Sequence, residues 1–216
     1  MNRHFAVLVT TLLSSVTHNA LAASTVDLTV KGIITPVACM PSLSNNGLVD
    51  YGKISRQELS VDKRTRLRDR TLDLRIQCNA PARFALRMRD NRDGSAIVNS
   101  EIYYGLNIDG SGNKIGLYSL NFEPASTVVD DWSQTFRTDS TTGGVAWSSS
   151  NSRSIPIGAR SYLGFTDASG SSAGPIAIQN LTSRVTLETV IAPTSELDLS
   201  TEVQLDGSAM LDVVYL

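Results

Sequence analysis

A two-residue rhythm constrains this chain more than any other feature. Leu72, Leu74, Ile76 and Cys78 share one parity, with Asp73, Arg75 and Gln77 between them. Phe84, Leu86 and Met88 repeat the pattern against Arg83, Arg87 and Arg89. Ile102, Tyr104, Leu106 and Ile108 follow. Asp109-Gly-Ser-Gly-Asn113 reads as a turn, and Ile115–Phe122 as the strand that returns from it. Val185, Leu187, Thr189 and Ile191 alternate, and so do Leu211, Val213 and Tyr215. Successive side chains of a strand point to opposite faces, so alternation marks half-buried strands, and segments with a helical period are almost absent. Many short strands divided by Gly, Asn and Asp predict an all-β sandwich.

Both ends of the chain carry the same rhythm. Ser24–Pro36 reads S-T-V-D-L-T-V-K-G-I-I-T-P and puts Val26, Leu28, Val30, Gly32 and Ile34 on one parity. The expectation is a strand over Val26–Val37, and a short second one over Leu48–Ile54. The last residues, M-L-D-V-V-Y-L, stop inside a strand. A final strand has no later strand to cover it, and a free alternating strand at the other end would cover such a gap in a neighbour. The pair of ends predicts a subunit that polymerises by lending a strand. The competing reading makes Val26–Ile34 an ordinary first strand of its own domain, with Gly32 at a bulge and Tyr215 a core aromatic.

Residues 1–22 read as a secretory signal peptide. Arg3 is its positive region, Phe5–Val16 its apolar stretch and Ala20-Leu21-Ala22 its small-residue cleavage site. The apolar stretch falls short of the roughly 18 residues a membrane span needs, so no stable membrane insertion is expected. Cleavage leaves 216 − 22 = 194 residues, enough for one β domain with a sizeable core. Losing Arg3 takes the basic count from 19 to 18 against 21 acids, a net charge of about −3 that argues against a nucleic-acid partner.

Both histidines, His4 and His18, fall in the leader. The mature chain therefore lacks the parts for Ser-His-Asp or Cys-His catalysis and for any His-ligated metal site. No cofactor and no metal are expected, and the chain is not expected to be an enzyme. A carboxylate-pair hydrolase survives in principle, but most acids sit in turns or on the outward parity of strands. The chain's two cysteines, Cys39 and Cys78, read as one disulfide in an exported protein, with two free thiols as the alternative.

Three runs in order then carry a resemblance: V-D-L-T-V-K-G-I-I-T-P-V-A-C, V-D-Y-G-K-I and L-D-L-R-I-Q-C. The chain resembles the pilin subunits of the chaperone–usher pathway. These have an alternating N-terminal extension with a glycine and then a cysteine, a short V-x-(F/L/Y)-G strand, and a partner cysteine about forty residues on. Their penultimate tyrosine corresponds to Tyr215. The resemblance covers roughly Val26–Phe122 and Val185–Leu216. The chain departs from it in its length, with an extra polar segment over 123–156, and in the placing of an upstream glycine, for which Gly207 is the nearest candidate.

The resemblance implies an immunoglobulin-like β-sandwich over 37–216 that lacks its final strand. Residues 23–36 would be the donor-strand extension, with Val26, Leu28, Val30, Gly32 and Ile34 facing the groove of the next subunit. Leu211, Val213 and Tyr215 would form the accepting strand. Implied partners are a periplasmic pilus chaperone, an outer-membrane usher and neighbouring pilus subunits, and the implied place is a cell-surface fimbria serving adhesion or biofilm formation. Such exchange is strand addition to a sheet edge, for which chaperone–pilin complementation is a known instance. Burying Val26, Leu28, Val30 and Ile34 would give about 6–12 kcal/mol gross. A stand-alone exported carbohydrate-binding sandwich is the alternative function, with Trp132, Phe136 and Trp147 as candidates to stack on a sugar. The Lys63–Arg70 cluster reads as a solvated loop entering a strand, and Asp90–Gly94 as a polar turn, because Arg92 interrupts any calcium-ligand spacing.

Overall fold

The computed structural model describes residues 24–216, so the signal-peptide reading lies outside the described residues. Pro36–Leu216 is one compact unit. It is all-β and antiparallel, with only short 3-10 turns and no α-helix among the described residues. Its strands are β1 (Cys39–Leu43), β2 (Thr65–Arg66), β3 (Arg70–Asp90), β4 (Tyr104–Gly105), β5 (Gly116–Val129), β6 (Phe136–Ser140), β7 (Ile155–Pro156), β8 (Tyr162–Thr166), β9 (Ala177–Ile191) and β10 (Ala209–Tyr215).

β3 organises the fold. The two alternating runs that the sequence suggests, 72–78 and 84–88, are one strand of 21 residues. Its first part pairs with β1 and β9, with Cys39 opposite Cys78 and Leu74 opposite Ser183. Its second part pairs with β10 and β8, with Val213 and Leu163 both opposite Leu86. The register with β9 shifts between Gln77 and Ala82, where Pro81 has no N–H to give to a ladder. One strand thus serves two sheets. β9, β5 and β4 extend the first, and β8 and β6 the second.

The inward parity of both halves of β3 meets the facing strands in one core. Leu74, Ile76, Phe84 and Leu86 pack there with Leu163 and Phe165 of β8, Leu181 and Val185 of β9, and Phe122 of β5. Cys39 and Cys78 are joined in a disulfide. β1 and β10 both run antiparallel to β3. β10 ends opposite Phe84 and β1 begins opposite Cys78.

Three expectations need correction. Residues 24–37 form no strand; Val26, Leu28, Val30 and Ile34 expose 94, 89, 87 and 100% of their surface. Alternation creates an apolar face, but a strand also needs a neighbour for its N–H and C=O groups, and this segment has no ladder. Leu48–Ile54 is likewise extended but unpaired. Asn45 and Asn46 before it have positive φ, and Gly52, at φ +65°, breaks the pleat where the Asp50 Oδ1 accepts the Gly52 N–H at 2.7 Å. Residues 102–108 form only the two-residue β4, because Asn107 at φ +72° turns the chain.

Residues 123–156 are woven into the sheets. They finish β5 and supply β6 and β7. The Arg137 guanidinium is buried there, paired with the Asp139 carboxylate and donating to the Ile155 carbonyl. A buried charge needs such partners.

Candidate strand-acceptor groove

Two segments outside the strand ladders face each other across an apolar floor. One is 48–59. The other is 197–205, which leads into β10. Val49, Tyr51, Ile54 and Leu59 line one wall, Leu197, Leu199, Val203 and Leu205 the other, and the buried Ile115 and Ile191 the floor. The cavity between them holds about 540 Å³. Every one of the eight apolar wall side chains is only half-buried.

Part of the backbone of both walls has no partner within the protein. Among the described residues, the N–H groups of Val49, Tyr51, Lys53 and Ile54 find no acceptor within the protein, and neither do those of Thr201 through Leu205. Buried or half-buried backbone donors normally have partners. These N–H groups without an internal acceptor border the half-buried apolar side chains of the groove.

Local chemistry holds the walls in place. The Tyr51 hydroxyl bonds the Thr189 hydroxyl at 2.9 Å, and the Arg70 guanidinium lies 5.2 Å above the Tyr51 ring. Ser60 and Val61 accept the N–H groups of Thr194 and Ser195 through their carbonyls, closing one end. Asp109 anchors the other wall. Its carboxylate accepts the N–H of Ser111 at 2.9 Å, of Asn113 at 2.8 Å and of Asp198 at 2.7 Å, and also the Asn113 side-chain amide at 3.0 Å. The Asp198 N–H above all, and then the Asn113 and Ser111 donors, hold the Asp109 carboxyl down to about pKa 2 from an ordinary 3.8. Gly207 then crosses the Tyr104–Tyr118 stack so closely that an added Cβ would lie 2.9 Å from the Tyr118 ring and 2.9 Å from Leu106.

Asp109 gives a pH test of that anchor. A carboxylate with a depressed folded pKa contributes stability that is whole above the unfolded value and is lost as pH falls through the folded one. The melting temperatures of wild type and Asp109→Asn should therefore differ above about pH 4 and converge as pH falls toward 2. Thermal melts from pH 6 to pH 2 check this; a constant gap would show that the carboxylate's charge plays no part.

The accepting strand proposed from sequence, Leu211, Val213 and Tyr215, is β10. None of its seven residues is buried, whereas Phe84, Ala85, Leu86 and Met88 of its partner β3 all are. Leu211 and Val213 face the core and remain half-open. On its outward side Asp212 pairs with Arg87 at 2.8 Å and Arg89 at 3.1 Å. The Arg87 hydrogen bond holds the Asp212 carboxyl below its ordinary range. Tyr215 directs its hydroxyl to the Cys39 N–H, 2.6 Å away.

The remaining candidates lie apart from the groove. Trp132 packs against the core. Trp147 bonds the Gly144 carbonyl through its Nε1–H and lies against Gly174, and Phe136 is half-buried in β6. In the basic cluster, Arg66 pairs with Asp69 and Glu188. At 90–94 the Asp90 carboxylate accepts the N–H groups of Arg92 and Gly105, while Asp93 pairs with Arg160. No group of three or more potential metal ligands gathers among the described residues.

Sequence reasoning missed the second wall. Its signal was present: Leu197, Leu199, Thr201, Val203 and Leu205 alternate without a break.

Comparison with known proteins finds one family model, described as "Protein of unknown function (DUF1120)", matching residues 28–116. That span takes in both cysteines and one wall of the groove. Two proteins of Escherichia coli (strain K12) are similar over nearly the full length. "Uncharacterized protein YhcF" is 24% identical over 226 residues, covering 92% of this chain and 93% of that protein. "Protein GltF" is 26% identical over 239 residues, covering 94% of each.

Proposed function

We propose that this chain is a structural subunit of a surface fibre, assembled by strand donation: residues 24–36 of one copy fill the groove between 48–59 and 197–205 of the next. The observation that carries the reading is a groove with an apolar floor whose two walls are half-buried apolar side chains beside N–H groups that have no internal acceptor. The occupant is argued from the chain itself. Ser24–Pro36 has one apolar parity, is fully exposed and makes no ladder. An exposed apolar segment and an unfilled apolar groove are both aggregation hazards when left uncovered. Each is relieved by the other in a second copy. On this reading the chain passes through the periplasm with a pilus chaperone covering the groove, meets an outer-membrane usher, and ends in a fimbria that serves adhesion or biofilm formation.

The test is a synthetic peptide spanning Ser24–Pro36 added to the full chain. At a hundredfold excess over its dissociation constant the peptide should stabilise the protein by about 2.7 kcal/mol, a rise of roughly 5–10 °C in melting temperature for a domain of this size. Deleting residues 23–34 should leave peptide binding intact and end polymer formation. A melting temperature unmoved by peptide would mean that the fold needs no added strand, and the reading would fall.

A further inference from the structure

The donating arm joins the domain at Pro36–Cys39, and this root is held by a built clamp. Asn79 supplies most of it. Its side-chain Oδ1 accepts the Ala38 N–H at 2.9 Å, its backbone N–H donates to the Ala38 carbonyl at 3.1 Å, and its Nδ2 reaches the Pro36 carbonyl at a long 3.4 Å. One residue on, Cys39 is tied to Cys78 by the disulfide, and its N–H donates to the Tyr215 hydroxyl. Asn79 itself lies on β3 beside Cys78, is exposed, and belongs to neither wall of the groove.

Neither burial nor sheet formation accounts for these side-chain bonds. β1 starts only at Cys39, so Pro36 and Ala38 lie outside the sheet. An exposed asparagine that brackets two residues ahead of a strand fixes where the chain enters it.

We infer that Asn79 is a positioning residue for strand donation: it fixes the root of the arm so that each subunit presents its donor strand from a defined anchor on β3. This rests on the strand-donation reading above. Without the Asn79 side-chain bonds, Pro36 and Ala38 sample more conformations, and docking the arm must order them again, which slows donation by about tenfold. The acceptor groove is untouched, so its affinity for an incoming strand stays the same. Asn79 acts through the backbone of the arm and touches no part of the groove.

The experiment compares wild type, Asn79→Ala and Asn79→Asp as full chains, with two readouts. One is affinity for the synthetic Ser24–Pro36 peptide, which reports accepting. The other is the rate of polymer formation at equal protein concentration, which also needs donating. Asn79→Ala should bind peptide like wild type and polymerise about tenfold more slowly. Asn79→Asp keeps an oxygen for the Ala38 N–H and should recover most of the rate. If wild type binds peptide and polymerises but Asn79→Ala polymerises equally fast, the positioning role is overturned and strand donation stands. A joint loss of peptide affinity and rate in Asn79→Ala would also overturn it, since Asn79 would then be serving the fold. If wild type neither binds peptide nor polymerises, the strand-donation reading itself falls and takes the positioning role with it.

Discussion

The Cys39→Ser/Cys78→Ser protein is expected to unfold with about 4 kcal/mol less free energy than wild type, because the bridge closes a loop across a sequence separation of 39 residues and the unfolded chain regains that loop entropy. For a domain of this size the melting temperature should drop by roughly 10 °C. The loss should centre on β1. That strand has five residues, none of them buried, and β3 is its only ladder partner. A denaturant titration of both proteins measures the difference. A value under about 1 kcal/mol would show that the ladder and the Asn79 bonds hold β1 without the covalent link.

Val203→Asp is expected to raise the dissociation constant of the Ser24–Pro36 peptide at least a hundredfold, close to 3 kcal/mol. Val203 is half-buried in the wall of the groove. In the empty groove a carboxylate there stays in water, so folding should change little. Once a strand closes over it the charge is desolvated with no partner, which is the costly case. Calorimetry with peptide, beside a melt of the variant alone, separates the two effects. Unchanged affinity would place the peptide somewhere other than this groove.

How much of this was legible depended on what alternation can encode. It reports which face of a segment is apolar, and there it served well: Leu72–Cys78, Phe84–Met88, Val185–Ile191 and Leu211–Val213 all lie in strands with the expected face toward the core, although Tyr215 beyond them is exposed. It does not report pairing. Val26–Ile34 alternates as well as any of these, yet it has no neighbour to complete its hydrogen bonds. Continuity was also hidden. The N-A-P-A stretch after Cys78 looks like a break between strands, but in β3 it is the point where one strand passes from the first sheet to the second. The 197–205 wall was open to reading through its own alternation. It was obscured because it borders strand β10 and forms none itself.

The sequence showed the disulfide and the terminal strand β10, while the donor role of 24–36 stays a proposal. It could not show that the walls run opposite one another, because that depends on Asp109 reaching Asp198 and on Ser60 reaching Thr194, contacts between residues far apart in the chain. Likewise Asn79 carries no signal in isolation. Its meaning comes only from lying beside Cys78, opposite the residues that precede β1.

The position of the disulfide has a mechanical consequence. A pull transmitted along the chain reaches Cys39 within three residues of Pro36 and there crosses a covalent bond to Cys78, near the middle of β3. The residues enclosed between the two cysteines, which include the 48–59 wall, lie off that covalent path. The load passes instead into β3, which is hydrogen-bonded along both edges and joins both sheets. A pull applied at the arm is thus set against the ladders that β3 makes with β1, β8, β9 and β10 together.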